Sequence, residues 1–270
     1  MNRLRRVAAR LAPAGDQSWL EHVPEADRVV FSRGMRVLDR VAAYFRYEVE
    51  GSENIPDVGG ALITIPHTTI TIDGFLLGGE ILKRRGRTVR ALGDHQLFEM
   101  PGVGELVTRL GAVDGRPENA MKILRDGELC FVMPGGAREA WQPVHKRHDL
   151  TWDGRYGFIK VALRAQVPII PAVTIGAAEA LWLPFHSLNW GQRVLGRRWP
   201  LIPPLGVGLT PMPIPTKWTA RIGTPIPLEH PPEAADDPEI VAALQARVRD
   251  AVAGMLQDGY RDHALFGGRG

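Results

Sequence analysis

Cysteine is nearly absent from this sequence of 270 residues, which contains a single one, Cys130. One cysteine excludes a disulfide framework and a cysteine-based zinc site, and it suits a reducing compartment. Cys130 lies in the apolar segment 128–133, which predicts a buried strand, so we expect it to be a core residue. The hydrophobic fraction of 44% also excludes a disordered chain.

Long uninterrupted apolar runs are lacking as well. The most apolar segment, 167–185, is broken by three prolines and by Glu179. It therefore predicts a buried strand followed by a loop, and not a membrane span. The segment 1–10 is basic but lacks the apolar stretch of a secretory signal. Its arginine-rich composition resembles an organelle transit peptide, and this alternative stays open.

Acidic residues are absent between Glu179 and Glu229, although the formal net charge of the whole chain is only +3. The same segment holds four of the seven tryptophans, Trp182, Trp190, Trp199 and Trp218. Interleaved aromatic and cationic residues are typical of a membrane interface. The alternative is a hydrophobic lid over the core. The residues that we expect to dock on an anionic membrane are Trp190, Arg193, Arg197, Arg198 and Trp199. We expect no nucleic-acid partner.

Strand and helix patterns alternate along the chain, with no Gly/Ser-rich linker and no internal repeat between them. This order predicts a single α/β domain with a mainly parallel or mixed central sheet flanked by helices, and with a helical N-terminal extension. The predicted strands are 47–50, 61–66, 89–92, 128–133, 167–174 and 218–222. The predicted helices are 28–44, 71–84, 102–110, 117–126, 156–164 and a C-terminal helix over 240–255 that is closed by Gly259.

The first segment with chemical potential is Ile65-Pro-His67-Thr-Thr-Ile-Thr-Ile-Asp73-Gly74. His67 follows the end of a predicted strand, where the loops of an α/β sheet present functional groups. Asp73 falls in the first turn of the next helix, where the macrodipole favours an ionised carboxylate. If the loop folds back, Asp73 orients the imidazole and leaves its other nitrogen basic, as in a triad without an enzyme nucleophile. By spacing alone, the pair also fits an ordinary loop histidine and helix-start aspartate.

The second segment is Pro134-Gly-Gly-Ala-Arg-Glu-Ala140, which follows a predicted strand. A strand that enters two glycines allows a tight turn whose N–H groups point at an anion. Arg138 places a bidentate cation beside that turn. Taken alone, such a turn is a common structural element.

Together, these segments resemble the glycerolipid (lysophospholipid) acyltransferase family, in the branch of monoacylglycerol and diacylglycerol acyltransferases. His67 and Asp73 are similar to the first block, and Pro134-Gly-Gly-Ala-Arg-Glu-Ala140 is similar to the third. Val167-Pro-Ile-Ile-Pro171 resembles the fourth block, and Ala220-Arg-Ile-Gly-Thr-Pro-Ile226 the usual late strand. The resemblance implies an acyltransferase domain over 45–228, preceded by a basic helical extension over 1–44 and followed by a C-terminal helix and tail over 229–270 that pack on it.

Two departures from the family pattern stand out. Five residues separate His67 from Asp73, which fits the diacylglycerol-type branch, but that branch usually has glycine where Thr68 stands. The second block is only loosely present as Gly111-Ala-Val-Asp-Gly-Arg116, with Arg116 as its candidate arginine.

The resemblance implies acyl transfer from acyl-CoA to the hydroxyl of a glycerolipid, either a lysophospholipid or a mono- or diacylglycerol. His67 would take the proton of the acceptor and Asp73 would orient His67. The residues expected to bind the substrate, its phosphate or the oxyanion are Gly135, Gly136, Arg138, Glu139 and Arg116. We expect no metal and no cofactor besides acyl-CoA as co-substrate, and a cytoplasmic location on the inner face of the membrane. The alternatives are an acyl-CoA thioesterase and a catalytically idle lipid-binding protein.

Overall fold

The computed structural model describes residues 28–99, 102–183, 204–261 and His263. Within these residues, seven strands form one sheet in the order β1-β7-β6-β2-β5-β3-β4. The strands are β1 (Glu48–Glu50), β2 (Ala61–Thr64), β3 (Val89–Gly93), β4 (Val113–Asp114), β5 (Leu129–Val132), β6 (Ile169–Ile175) and β7 (Thr219–Ile222). The helices are α1 (Arg28–Tyr44), α2 (Ile72–Arg85), α3 (His95–Glu99), α4 (Val103–Arg109), α5 (Pro117–Arg125), α6 (Gly136–Ala140), α7 (Gly157–Ala165) and α8 (Pro238–Arg261).

The sheet is mixed. Strands β6, β2, β5, β3 and β4 run parallel to one another, whereas β7 is antiparallel to β6 and parallel to β1. Helices cover both faces, and for this reason β2 is buried along its whole length. The predicted fold class, a single mainly parallel or mixed sheet flanked by helices, is confirmed.

Alternating side chains of the central strands build two cores. Leu62 and Cys130 pack into the core on the side of α7 and α8, whereas Ile63 and Phe131 pack into the core on the side of α2. Cys130 is a free, fully buried thiol. Its side chain is a core residue, as its sequence context predicted.

Helix α1 is held against the sheet by a separate apolar cluster. Phe45, just after α1, stacks on Trp218 with ring centroids 3.7 Å apart. Leu38 and Val41 of α1 pack against the same cluster. Residues 1–27 lie outside the described residues, so the boundaries that we assigned to the N-terminal extension stay a prediction. Among the described helices, none has the length and apolarity to cross a bilayer.

Four elements differ from the sequence prediction. Strand β4 and helices α3 and α6 were missed because two and five residues are too few to show a periodic pattern. Helix α8 does not end at Gly259 but continues to Arg261. Gly259 faces Ile175 of β6, whose side chain occupies the space that a β-carbon would need. This glycine therefore permits close packing of the helix on the sheet.

Candidate active site

The functional segments predicted from the sequence meet at one edge of the sheet. Strands β2, β5 and β4 belong to the parallel block of the sheet, and His67, Gly135 and Arg116 each follow the carboxyl end of one of them. The carboxyl edge of parallel strands is where α/β sheets bind ligands. The topology thus gathers segments that lie far apart in the sequence.

His67 is held as a neutral imidazole with one defined tautomer. Its Nδ1 lies 2.9 Å from the backbone oxygen of Thr68. Because a carbonyl oxygen only accepts hydrogen bonds, Nδ1 carries the proton and Nε2 carries the lone pair. Burial lowers the pKa of His67 below its ordinary value, although the Thr68 carbonyl opposes this effect. At neutral pH the ring is therefore competent as a base.

Asp73 lies in the first turn of α2, as predicted, but its contacts differ from the expected ones. Within the described residues its carboxylate has no hydrogen bond to His67; its Oδ1 instead accepts a 2.9 Å bond from the hydroxyl of Thr68. Its Oδ2 is buried without a described partner. Burial raises the pKa of Asp73 to about 6 despite the hydrogen bond from Thr68. The desolvation of the carboxylate thus outweighs the hydrogen bonds that favour its ionised form.

Thr68 joins His67 and Asp73. Its backbone oxygen holds the His67 ring, and its hydroxyl donates to Asp73 and accepts from the N–H of Thr71 at 3.3 Å. Thr71 has a left-handed backbone, with φ of +59°, which is unusual for a branched residue. The sequence analysis noted Thr68 only as a departure from the family pattern. Its spacing of three residues from Thr71, which is typical of a hydroxyl-to-backbone turn, was the available signal.

Glu139 ties the two functional segments together. Its Oε2 accepts from the backbone N–H of His67 at 2.7 Å. Its Oε1 accepts from the N–H of Thr151 at 3.1 Å and from the indole of Trp152 at 3.0 Å. Burial raises the pKa of Glu139 to about 7, and these three donors oppose the rise. The carboxylate is turned toward the protein and not toward a ligand, so the substrate- or phosphate-binding role expected from the sequence does not match its position.

Both glycines of the Gly-Gly turn have structural tasks. The N–H of Gly136 donates to the oxygen of Met133 at 3.0 Å, so it is not free to stabilise an oxyanion as the sequence led us to expect. Gly136 also has a left-handed backbone, with φ of +55°. A β-carbon on Gly135 would collide with the side chain of Glu139. Glycine at this position is required for Glu139 to reach the loop of His67.

The two candidate phosphate-binding arginines occupy different environments. Arg138 is exposed on α6, and its guanidinium has no hydrogen-bond or ion-pair partner in the described part of the chain. Arg116 is 59% exposed and pairs with Asp114 at 3.0 Å. Neither arginine lines the crevice that contains His67.

That crevice is narrow and contains His67 and Thr68, with Glu139 at its side. Its opposite wall is formed by Arg147 and His148. The loop lies here because the buried Glu179 binds both of these side chains.

An apolar groove begins beside Asp73. It has a volume of about 560 Å³ and lies between α1, α2 and β3. Ile72 and Gly74, the two neighbours of Asp73, line it, and so do Gly78 and Gly79 one turn further along α2. The missing side chains of these glycines leave the groove open along the helix.

The predicted membrane-docking residues Trp190, Arg193, Arg197, Arg198 and Trp199 lie outside the described residues. Two other tryptophans of the acid-free segment are described, and they differ. Trp182 is 51% exposed, whereas Trp218 is fully buried against Phe45. Trp218 is therefore a core residue and not part of a membrane-facing surface.

Replacing Glu139 with alanine is expected to lower the free energy of unfolding by about 2–5 kcal/mol at pH 6, because it leaves one buried and two half-buried N–H donors without an acceptor. The activity of the site should fall together with the stability, since the loop of His67 loses its hydrogen bond to Glu139. Glu139→Gln, which keeps the shape and one carbonyl oxygen, retains most of the stability. Urea unfolding followed by intrinsic tryptophan fluorescence measures the first effect. A Glu139→Ala enzyme that is as active and as stable as wild type contradicts the positioning role.

A mainly parallel sheet with a half-buried histidine at its carboxyl edge, and with an apolar groove beside the neighbouring Asp73, defines the class of protein as an α/β domain with a candidate base and an apolar cavity. Residues 46–175 match the family model Acyltransferase. They are therefore a domain of the acyltransferase family, as the sequence motifs indicated.

Two curated relatives support this assignment. Over 221 residues the chain is 35% identical to the "DGAT1/2-independent enzyme synthesizing storage lipids" of Bos taurus and to the protein of the same name in Homo sapiens. The alignments cover 80% of this chain but only 60% and 62% of the two relatives. The chain thus spans about three fifths of their length.

A solved structure shares the fold. It is the crystal structure of the 1-acyl-sn-glycerophosphate (LPA) acyltransferase PlsC from Thermotoga maritima, which matches with a TM-score of 0.53 and 17% sequence identity. The match covers 94% of this chain and 88% of that one. At this identity the likeness concerns the fold.

Proposed function

We propose that this protein is an O-acyltransferase that moves a fatty acyl group from acyl-CoA to the hydroxyl of a glycerolipid at a membrane surface. The observation that carries the proposal is the state of His67. Its Nδ1 is bound to a backbone carbonyl, so Nε2 holds the lone pair needed to accept a hydroxyl proton. The acyltransferase domain and the relatives that synthesize storage lipids support the substrate class.

The chemistry follows from one base and an activated donor. Nε2 of His67 takes the proton as the acceptor oxygen attacks the thioester carbonyl. The tetrahedral intermediate collapses, the carbon–sulfur bond breaks, and the leaving thiolate receives the proton from the imidazolium. Thr68 and Asp73 keep the ring in the required tautomer. Gly135 stays our proposed oxyanion donor, and the exposed Arg138 and Arg116 stay proposed phosphate ligands.

An acyltransfer assay with a labelled long-chain acyl-CoA tests this function. We expect consumption of the donor to depend on an added lipid acceptor, in a panel of lysophospholipids, monoacylglycerol and diacylglycerol. Release of free fatty acid without an acceptor identifies a thioesterase instead. No consumption under any condition identifies a lipid-binding protein without catalytic activity.

The apolar groove is the proposed site of the acyl chain. In its wall, a β-carbon on Gly78 would lie 3.4 Å from Phe131, which is ordinary contact, so Gly78→Ala fits without strain. A phenylalanine at the same position would fill the groove. We expect Gly78→Phe to shift the preference toward shorter acyl chains by about tenfold or more in kcat/KM, because several buried methylenes lose about 0.8 kcal/mol each.

A series of acyl-CoA donors of increasing chain length measures this shift. Gly78→Ala is the matched control and should change the profile little. An unchanged profile for folded Gly78→Phe places the acyl chain elsewhere.

Docking on the inner face of an anionic membrane is the second proposed element of the function. Among the described residues, seven large apolar side chains are exposed, and four of them belong to the acid-free segment. These are Trp182, Val207, Leu209 and Met212. Leu209 is 72% exposed and lies in a short turn. The turn follows Leu205, which exchanges a pair of backbone hydrogen bonds with Trp182. Exposed apolar residues in a segment without acidic groups favour a lipid surface.

Substituting Arg193, Arg197 and Arg198 with glutamine is expected to reduce binding to anionic liposomes but not to neutral ones. Each basic residue near an anionic surface is worth about 1 kcal/mol, and salt screens this attraction. Trp190→Ala, Trp199→Ala and Leu209→Asn should weaken binding to both kinds of liposome. Co-sedimentation at low and high salt provides the measurement, with Val58→Ser, an exposed apolar position outside the segment, as control. Wild-type protein that stays in the supernatant with every lipid mixture indicates that the segment is only a lid.

A further inference from the structure

The wall of the crevice opposite His67 carries a cation that the acyl-transfer chemistry does not use. Arg147 and His148 line the crevice together with His67. They also line a second, larger cavity of about 460 Å³, which contains Tyr260 and His263. The two spaces share Arg147, His148 and Tyr260, so the larger cavity opens beside the candidate base.

The buried Glu179 holds Arg147 and His148 in place. It is 6% exposed, and its Oε1 lies 3.3 Å from Nε of Arg147 and 3.1 Å from Nε2 of His148. Its Oε2 accepts from the hydroxyl of Tyr260 at 2.9 Å, and that hydroxyl in turn accepts from the N–H of Gly176. Burial alone raises the pKa of Glu179, but His148, Tyr260 and Arg147 together bring it below its ordinary value. The carboxylate is therefore ionised and anchors both basic side chains.

Arg147 retains a free donor despite these contacts. Its Nε lies 3.3 Å from Glu179 and 3.1 Å from Nε2 of His148, and its Nη1 donates to the oxygen of Val144 at 3.0 Å. Its Nη2 has no partner among the described residues, and the side chain is 35% exposed. A guanidinium held at Nε and open at Nη2 is preorganised for an anion. The Nδ1 of His148, whose Nε2 is already engaged, and the imidazole of His263 lie nearby.

Carboxylates around the site decide where an anion would bind. Asp149 lines the narrow crevice, as does Glu139, whose oxygens are taken by N–H donors. Neither lines the larger cavity, where the ionised carboxylate of Glu179 is already paired with Arg147 and His148. The larger cavity is thus the more favourable place for negative charge.

We propose that Arg147 and His148, positioned by Glu179, bind the phosphate-bearing part of a substrate in the cavity that opens beside His67. The inference rests on the proposed acyl transfer, because a phosphate group can reach this site from two sources. One is the diphosphate or monophosphate of coenzyme A, and the other is the phosphate of a lysophospholipid acceptor. Both are recognised by the same chemistry, a guanidinium fork with imidazole donors.

Paired substrates distinguish the two sources. For the donor, the pair is a long-chain acyl-CoA and the same acyl group on pantetheine, which lacks the phosphates. For the acceptor, the pair is a lysophosphatidic acid and the corresponding monoacylglycerol. In Arg147→Gln we expect the KM for the phosphate-bearing substrate of one pair to rise about 10- to 100-fold. The KM for the phosphate-free substrate of that pair, and kcat for both, should change little. The pair that responds identifies the source.

Three further variants separate binding from structure. Lys146→Gln removes the same charge one residue away, outside both cavities, and should leave both pairs unchanged. Arg147→Lys keeps a cation beside Glu179, which protects the fold, but loses the fork and should still raise KM. Glu179→Gln should reproduce the same KM pattern more weakly, because Glu179 acts through Arg147. The inference is overturned if, for each of the four substrates, the KM of the folded Arg147 variants equals the KM of wild type.

Binding without turnover separates this inference from the proposed function. Calorimetry with coenzyme A and with lysophosphatidic acid compares wild type, Lys146→Gln and Arg147→Gln. Weaker binding of either compound in Arg147→Gln alone supports the site, even if no acyl transfer is found. Unchanged binding of both in an enzyme that transfers acyl groups rejects the site and leaves the function standing.

Discussion

His67→Ala is expected to lower the turnover of acyl transfer by about 10²–10⁴-fold, the contribution of a positioned general base. The fold should survive, because among the described residues the His67 side chain makes one hydrogen bond, and the contact with Glu139 uses its backbone N–H. Wild-type activity should also fall as the pH drops below the lowered pKa of His67, since the protonated ring cannot accept a proton. Turnover of a labelled acyl-CoA with its lipid acceptor measures both effects.

His230→Ala serves as the control, because it removes an imidazole from outside the crevice. Thermal unfolding of both variants establishes that they are folded. Near-normal turnover by folded His67→Ala would exclude the mechanism, whatever the identity of the lipid.

Asp73→Asn is expected to reduce turnover and to increase stability at the same time. Because Asp73 acts on His67 through Thr68, the loss should stay below the roughly 10⁴-fold that a direct Asp–His contact contributes. The gain in stability follows from burial, which raises the pKa of Asp73 to about 6. A tenfold change in proton affinity is worth about 1.4 kcal/mol, so the ionised carboxylate makes the fold about 3 kcal/mol less stable than the protonated one.

The stability difference between wild type and Asp73→Asn should depend on pH in a defined window. Below about pH 4 the carboxylate is protonated in both the folded and the unfolded chain, so wild type and Asp73→Asn should unfold alike. Between about pH 4 and 6 the unfolded chain releases its proton first, which destabilises wild type only. The advantage of the variant should therefore grow through this window and stay constant above it. Urea unfolding at about pH 4, 5, 6 and 8 tests this course.

Thr68→Val is the companion variant, since it removes the hydroxyl that joins Asp73 to the loop. If the two residues form one unit, the activity losses of Thr68→Val and Asp73→Asn should not add in the double variant. Additive losses, or an Asp73→Asn protein that is destabilised equally at every pH, contradict the arrangement of the carboxylate described above.

Much of the fold was predictable from local sequence. The apolar segments 61–66 and 167–174 are continuous because helices cover both faces of the sheet, and both form central strands. The longer amphipathic segments formed the predicted helices. The two-residue strand β4 and the five-residue helices α3 and α6 escaped prediction, because so few residues carry no periodicity.

The candidate site was predictable in its members but not in its contacts. His67 and Asp73 follow from a strand end, a helix start and a family motif. Thr68 was visible only as a departure, and the roles of Glu139 and Gly136 differ from those expected. A side chain of given charge binds a ligand or a neighbouring backbone N–H depending on which way it points, and sequence spacing does not record that direction.

By itself, the sequence indicated one α/β sheet domain, a resemblance to the acyltransferase family over residues 45–228, and His67 and Asp73 as members of one site. Periodicity, strand ends and motif order are local properties, and local properties are enough for these conclusions. Only the tertiary structure decided that Thr68 links the pair, that Glu139 anchors the loop of His67, and that Arg147 faces the base. The contacts of Glu139 and Arg147 join residues far apart in the chain and arise only when the strands are brought side by side. The link through Thr68 is local, but it depends on burial and on the direction of single hydrogen bonds, which sequence spacing does not give.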